Sequence, residues 1–281
     1  IDKTQKEIGR FFKPTDLVYL WVWCIPCPHC NQKIPLTNQM WIANTPKNKV
    51  GVRFHITSDK NFKIELVNNM TPEEGKQFTQ KSGKAICISC KNAISYEEIT
   101  KSISAKKERK MIAIQIQQSP GKRKYMGVTK NDEKLFEESI DFFKSKYNDW
   151  SKLDLIPFEE ILASHRKQNT LWHYGIKNWN DYFSPRQLLA LITFLKNIKE
   201  ICKNIKNKEY AKVISLYLGL LLCKHVNDNC LGAPWSVTRE TPAHALTLRR
   251  PSFVFNHAEV NPFQKVSGSF SNILKNITDG I

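Results

Sequence analysis

Glycine is scarce in this chain, 11 of 281 residues, about half the average usage of roughly 7%. That shortage excludes collagen-like and linker-rich designs. Neither G-x-G-x-x-G nor G-x-x-x-x-G-K-[ST] occurs, so the glycine loops that cradle nucleotide phosphates are missing too. Long apolar runs are also absent. The longest, Val213 to Cys223, is closed off by Lys212 and Lys224 and falls far short of the ~20 residues that a membrane helix needs. The chain opens Ile1-Asp2-Lys3-Thr4-Gln5-Lys6 with neither an initiator methionine nor an apolar signal core, so a fragment of a longer protein is expected.

What is present describes a folded protein. The apolar fraction of 41% and aromatic fraction of 11% lie near globular averages and away from the disorder signature. The length allows one large domain or two of ~150 residues. Acids are outnumbered, 26 Asp+Glu against 43 Lys+Arg, for a formal charge of +17. A polyanion gains affinity from each phosphate a cation neutralises, which makes nucleic acid the first candidate partner. A lysine-rich surface without a partner accounts for the same surplus.

Eight cysteines stand at 24, 27, 30, 87, 90, 202, 223 and 230. Five fall in two tight clusters, unlike the even spacing of disulfide frameworks, and a reducing cytoplasm is expected. Cys27-Pro28-His29-Cys30 and Cys87-Ile88-Ser89-Cys90 are two C-x-x-C pairs. Each such turn aims two sulfurs at one point, so two together predict a closed, structural four-thiolate Zn²⁺ site of Cys27, Cys30, Cys87 and Cys90. Cys24-x-x-Cys27 is also a legal pair, but Cys24 ends the apolar run Leu17–Trp23 and reads as a buried, inert thiol. His29 is expected to face solvent. A redox C-x-x-C needs no second pair, and a catalytic zinc needs an open position that four thiolates do not leave.

Periodicity changes near residue 128. Before it, Leu17–Trp23, Met40–Ala43, Val50–Thr57, Phe62–Val67 and Met111–Gln117 read as strands. After it, helices are expected over 129–150, over 185–207 with Ser184 as N-cap and Pro185 in the first turn, and over 208–225. The stretch 227–264 reads as a long irregular loop, of the kind that often carries function. The expectation is an α+β fold: a four-cysteine zinc ribbon with a small antiparallel sheet as a β domain over 1–128, followed by a mainly α-helical domain over 129–281.

The segment Tyr174-Gly175-Ile176-Lys177-Asn178-Trp179-Asn180-Asp181-Tyr182-Phe183-Ser184-Pro185-Arg186-Gln187-Leu188-Leu189-Ala190-Leu191 resembles the Y-G-x-x-x-W-x-D-L-F-T-P-R-Q-L-L-A-L segment of the adenine-specific DNA methylases that contain a zinc ribbon. Tyr19-Leu20-Trp21, Ile34-Pro35-Leu36, Ala258-Glu259-Val260-Asn261-Pro262-Phe263 and Ser267-Gly268-Ser269 extend the resemblance over roughly 15–270. It implies a parent enzyme that moves a methyl group from S-adenosylmethionine to an exocyclic amino group of DNA. That family's D-P-F-x-G-x-G-S and D-P-P-Y segments are absent. The chain is therefore expected to be the DNA-recognition insertion of such an enzyme, with no catalytic residue of its own, S-adenosylmethionine bound only by the full-length parent, and the catalytic domain as its partner in cis. The alternative is a free-standing zinc-ribbon scaffold for nucleic acid or protein. Lys122, Arg123, Lys124, Arg239, Arg249 and Arg250 are the expected DNA contacts. Arg186 either joins them or holds its helix start by pairing with a carboxylate such as Asp181.

Overall fold

The computed structural model of the protein describes residues 1–119, 121–162, 170–247 and 250–280. Helix α1 (Asp2–Ile8) and a following 3-10 turn lead into β1 (Asp16–Pro26), on whose end β2 (Lys33–Leu36) folds back. β3 (Trp41–Asn44), β4 (Lys49–Ile56) and β5 (Phe62–Asn68) form an antiparallel meander. A helical turn, α2 (Pro72–Gly75), precedes a small sheet of β6 (Gln80–Lys81), β7 (Lys84–Ile86) and β8 (Ala93–Ile94). Then come α3 (Tyr96–Lys106), β9 (Arg109–Ser119) and β10 (Lys122–Met126). The remainder holds α4 (Lys130–Lys152), α5 (Thr170–His173), α6 (Pro185–Asn204), α7 (Lys208–Asp228), the short pair β11 (Trp235–Ser236) and β12 (Thr241–Pro242), β13 (Asn256–Val260) and α8 (Phe270–Thr278).

The main sheet runs β10-β9-β1-β13, all neighbours antiparallel. β9 takes one edge of β1. β13 pairs with Val18–Val22 and β2 with Trp23–Pro26, so these two share the other edge. β1 is buried on both faces, which is why its sequence is an unbroken apolar run instead of an alternation. Val18, Leu20, Val22 and Cys24 pack with Ile42, Val50, Val52 and Phe62 of the meander. Tyr19 and Trp21 pack on the other side with Phe143 and Trp150 of α4 and Leu188, Leu189 and Ile192 of α6.

The antiparallel sheets and the mixed α/β content agree with the expected fold class at that level. The division into 1–128 and 129–281 does not separate two bodies. β13, from the second stretch, is hydrogen-bonded to β1, and the α4 and α6 side chains complete the core beneath β1. Residue 128 marks only where local periodicity changes. The stretch 227–264 is likewise not one long loop, since it contains β11, β12 and β13. These strands are too short and too dependent on β1 for their own pattern to announce them.

The helix starts follow from their caps. Ser184 accepts from Gln187 N at 3.1 Å while Gln187 Oε1 accepts from Ser184 N at 2.9 Å, and Pro185 occupies the first turn. This reciprocal pair satisfies two orphan donors of α6. Thr129 and Asp132 do the same for α4, and Lys13 pairs with Asp132 at 2.5 Å. No helix among the described residues is long and apolar enough to cross a membrane.

Candidate metal centre and basic hairpin

The first cysteine pair sits in the turn between β1 and β2, the second in the turn between β7 and β8, and the two turns share one geometry. Cys27 N donates to Gln32 O at 2.8 Å and Asn31 N to Cys27 O at 2.9 Å. Cys87 N donates to Asn92 O at 3.0 Å and Lys91 N to Cys87 O at 3.1 Å. Asn31 and Lys91 occupy equivalent places, with φ of 60° and 62°, a left-handed conformation that Asn tolerates better than Lys. The turns are brought together because Thr79, beside β6, exchanges bonds with Thr37, just after β2: Thr37 N to Thr79 Oγ1 and Thr79 N to Thr37 O, each 2.9 Å. Ile25, Ile34, Ala85, Ile94, Ile99 and Ile103 then close an apolar floor under Cys27 and Cys87.

As a result the Sγ atoms of Cys27, Cys30, Cys87 and Cys90 all lie within 4.8 Å of one another, a group that can hold a metal ion. Cys27 Sγ is 3.7 Å from Cys90 Sγ, and Cys30 Sγ is 3.6 Å from Cys87 Sγ. The Gln32 N–H holds the Cys30 thiol down at about 7, and Ser89 N donates to Cys87 Sγ at 3.4 Å. Such amides orient the sulfurs, while burial pushes the Cys87 thiol up to about 12. Cys24 stays out of the cluster. It is buried under the meander, and burial pushes its thiol up to about 12. His29 is exposed and also outside the cluster.

The expected DNA-contacting residues divide. Lys122 and Lys124 are exposed on β10, the edge strand of the main sheet. Arg123, on the same strand, donates from Nη1 to Glu240 O at 3.2 Å. Arg239 is the neighbour of Glu240, exposed in the turn between β11 and β12, with Nε 3.4 Å from Ser236 Oγ. The fold thus sets Arg123 beside the β11–β12 hairpin. Arg250 is exposed ahead of β13, and Arg249 lies outside the described residues.

Glu240 is a residue that the sequence pattern did not single out. It is buried, and its carboxylate accepts from Tyr125 Oη at 3.0 Å, Thr45 Oγ1 at 3.1 Å and Asn48 Nδ2 at 3.0 Å. Those partners come from β10 and the turn between β3 and β4, so no local pattern could have named it.

Arg186 is not at the surface. It is 1% exposed, pairs through Nε with Glu259 Oε1 at 2.5 Å and donates from Nη1 to Phe11 O at 3.2 Å. Its guanidinium lies over the Tyr19 ring, 4.1 Å from the centroid. Asp181 instead takes Lys107 at 2.8 Å and accepts from Asn178 N. The structural alternative for Arg186 therefore holds, but with a partner on β13 instead of the neighbouring acid.

No family model matches this chain, and no solved structure matches it. One stretch is similar to tyrosine-protein phosphatase 8 of Styela plicata, with 34% identity over 56 residues, 20% of this chain and 46% of that protein. The chain thus spans less than half the length of that relative.

Proposed function

We propose that the four cysteines hold a structural Zn²⁺ in a zinc ribbon, and that the chain is the DNA-recognition region of an S-adenosylmethionine-dependent adenine methyltransferase. The observation that carries the metal is the sulfur spacing. Four thiolates ~2.3 Å from a tetrahedral centre lie about 3.8 Å apart, against 3.7 and 3.6 Å for the Cys27–Cys90 and Cys30–Cys87 pairs. A donor set of four thiolates suits Zn²⁺ and leaves no open coordination position, so the ion would hold the two turns together without doing chemistry.

The DNA reading rests on the resemblance of residues 174–191 to the methylases and on the exposed cations of β10 and of the β11–β12 hairpin. Lys122, Lys124 and Arg239 are solvent-exposed and suited to phosphates, which position a protein on DNA without reading sequence. S-adenosylmethionine and the catalytic step belong to the parent enzyme, because the glycine-rich and D-P-P-Y segments are not in this sequence.

The test has two parts. Elemental analysis of protein purified without chelator is expected to give one zinc per chain, and no bound metal would refute the site. Duplex binding should weaken steeply with salt. The Lys122→Ala, Lys124→Ala, Arg239→Ala triple variant should flatten the salt slope by about three, roughly one for each phosphate that is no longer neutralised. Absence of DNA binding would favour the protein-binding scaffold.

A further inference from the structure

The helical pair α6–α7 extends beyond the core that holds it. Buried residues stop at Asn197 on α6 and begin again only at Leu221 on α7. Leu221 packs with Phe194 of α6 and with Phe270 and Ile273 of α8, and Leu218 and Leu222 flank that contact. The stretch Lys208–Leu220 is helical yet contains no buried residue. On the side of α7 turned away from α8, Val213, Leu216, Tyr217 and Leu220 are 40–62% exposed. Their spacing of i, i+3, i+4 and i+7 places them on one face as a continuous apolar stripe. Single exposed apolar residues are ordinary, but a contiguous stripe marks a surface that another body covers.

We infer that this stripe is the docking site of an amphipathic helix whose apolar face is flanked by acidic residues. Spacing supplies the shape of the partner, since anchors at i, i+3, i+4 and i+7 are those through which helices meet along apolar faces. Charge supplies its chemistry. Lys199, Lys203, Lys206 and Lys208 are exposed where α6 turns into α7, and none of them joins the ion pairs of these two helices. The exposed acids of the same stretch are already engaged, Glu200 by Lys3 at 2.5 Å and Glu209 by Lys212 at 2.7 Å. Acids on a helix lying along α7 complete those lysines. A second copy of the chain does not: laid parallel it brings lysine to lysine, and laid antiparallel it brings Lys224, whose partner Asp228 is buried and already paired. DNA phosphates would meet the lysines and leave the stripe uncovered. The inference is independent of the metal and DNA readings above.

The probe is a synthetic three-heptad helical peptide with leucine on one face and glutamate on both sides, compared with the same peptide carrying lysine in place of glutamate. Anisotropy of the labelled peptides, titrated with the whole chain, should show the glutamate form binding about tenfold more tightly than the lysine form. Leu216→Ala with Leu220→Ala should weaken the glutamate peptide about tenfold at low and high salt alike, because apolar burial is lost. Lys203→Gln with Lys206→Gln should weaken it about threefold at low salt and leave it unchanged at high salt, where exposed charges are screened. Lys122→Gln with Lys124→Gln, on β10, should leave it unchanged at both. All six side chains are exposed, so the fold does not depend on them. Equal affinity for the two peptides, or binding that survives Leu216→Ala with Leu220→Ala, would overturn the inference. So would a dimer in sedimentation that this double variant abolishes, which gives the stripe to a second copy. Binding to phosphatidylserine vesicles without binding to the peptide would overturn it too, in favour of a lipid surface.

Discussion

The two ends of β1 solve opposite problems. At its C-terminal end, the Cys27 turn joins a cluster of four thiols whose sulfurs converge within 4.8 Å. Near its N-terminal end, Tyr19 lies against Arg186, and Arg186 is closed onto Glu259. The first site turns its polar atoms toward a common point where a ligand can complete it. The second is closed by opposite charges and aromatic faces, with Arg186 Nη2 and Glu259 Oε2 left buried without a hydrogen bond. Such a pair is held by mutual attraction against a large desolvation cost, so it is intolerant of losing one member. The comparison teaches that polar atoms beside an apolar sheet mark a binding site when they converge from separate turns on one point, whereas a buried ion pair neutralises its charge within itself even with single atoms left unbonded.

The largest effect is expected at the cysteine end. A structural zinc contributes on the order of 10 kcal/mol in zinc-finger peptides. Cys87→Ser should abolish metal binding and remove hydrogen-exchange protection from β6–β8 and α3, while β1 and β9 stay protected by the core they share with α4 and α6. Protection unchanged throughout would show that the turns need no metal and would erase the contrast.

At the other end, Glu259→Ala should cost about 3–5 kcal/mol in denaturant unfolding, because the Arg186 charge is left buried alone. Arg186→Met together with Glu259→Leu should cost much less than the sum of the single changes. Additive losses in that double-mutant cycle would mean that the pair is not coupled.

His225 sharpens the comparison through pH. Its Nδ1 lies 2.7 Å from Gly268 O and its Nε2 is 3.2 Å from Asn229 Nδ2, an arrangement that fits the neutral ring. Burial pulls its pKa down to about 4. Between pH 6.5 and 4 the unfolded chain therefore binds a proton that the folded chain does not, so this group makes stability fall on acidification, by up to about 1.4 kcal/mol per pH unit. His225→Gln should flatten stability against pH in that window. An unchanged slope would show that other groups dominate there.

The smallest effect belongs to a cap. Ser184→Ala should cost about 1 kcal/mol in thermal or denaturant unfolding, through loss of the bond to Gln187 N. A loss several times larger would mean that Ser184 also supports the Arg186 site that it precedes.

The cysteine pairs were legible because C-x-x-C, a turn and a short flanking strand are all local, and the equivalent left-handed residues Asn31 and Lys91 repeat the same turn. The start of α6 was legible for the same reason, as Ser184, Pro185 and Gln187 act within one turn. Arg186 was half legible: its helix position could be read, but its partner Glu259 lies 73 residues away. β13 has five residues and its pairing depends on β1, while β11 and β12 are two residues each. Strands this short carry too little periodicity to stand out from a loop.

By itself, then, the sequence determined the turns, the caps, the helical stripes and the identity of the four thiols, because each depends on neighbours within a few positions along the chain. Tertiary structure alone decided that residues on both sides of 128 share one sheet, that Arg186 faces Glu259 instead of Asp181, and that Glu240 draws β10 to the β11–β12 hairpin. Those outcomes depend on which distant surfaces exclude water together. A buried charge or carbonyl takes whichever partner the packing brings within reach, and separation along the chain does not enter that choice.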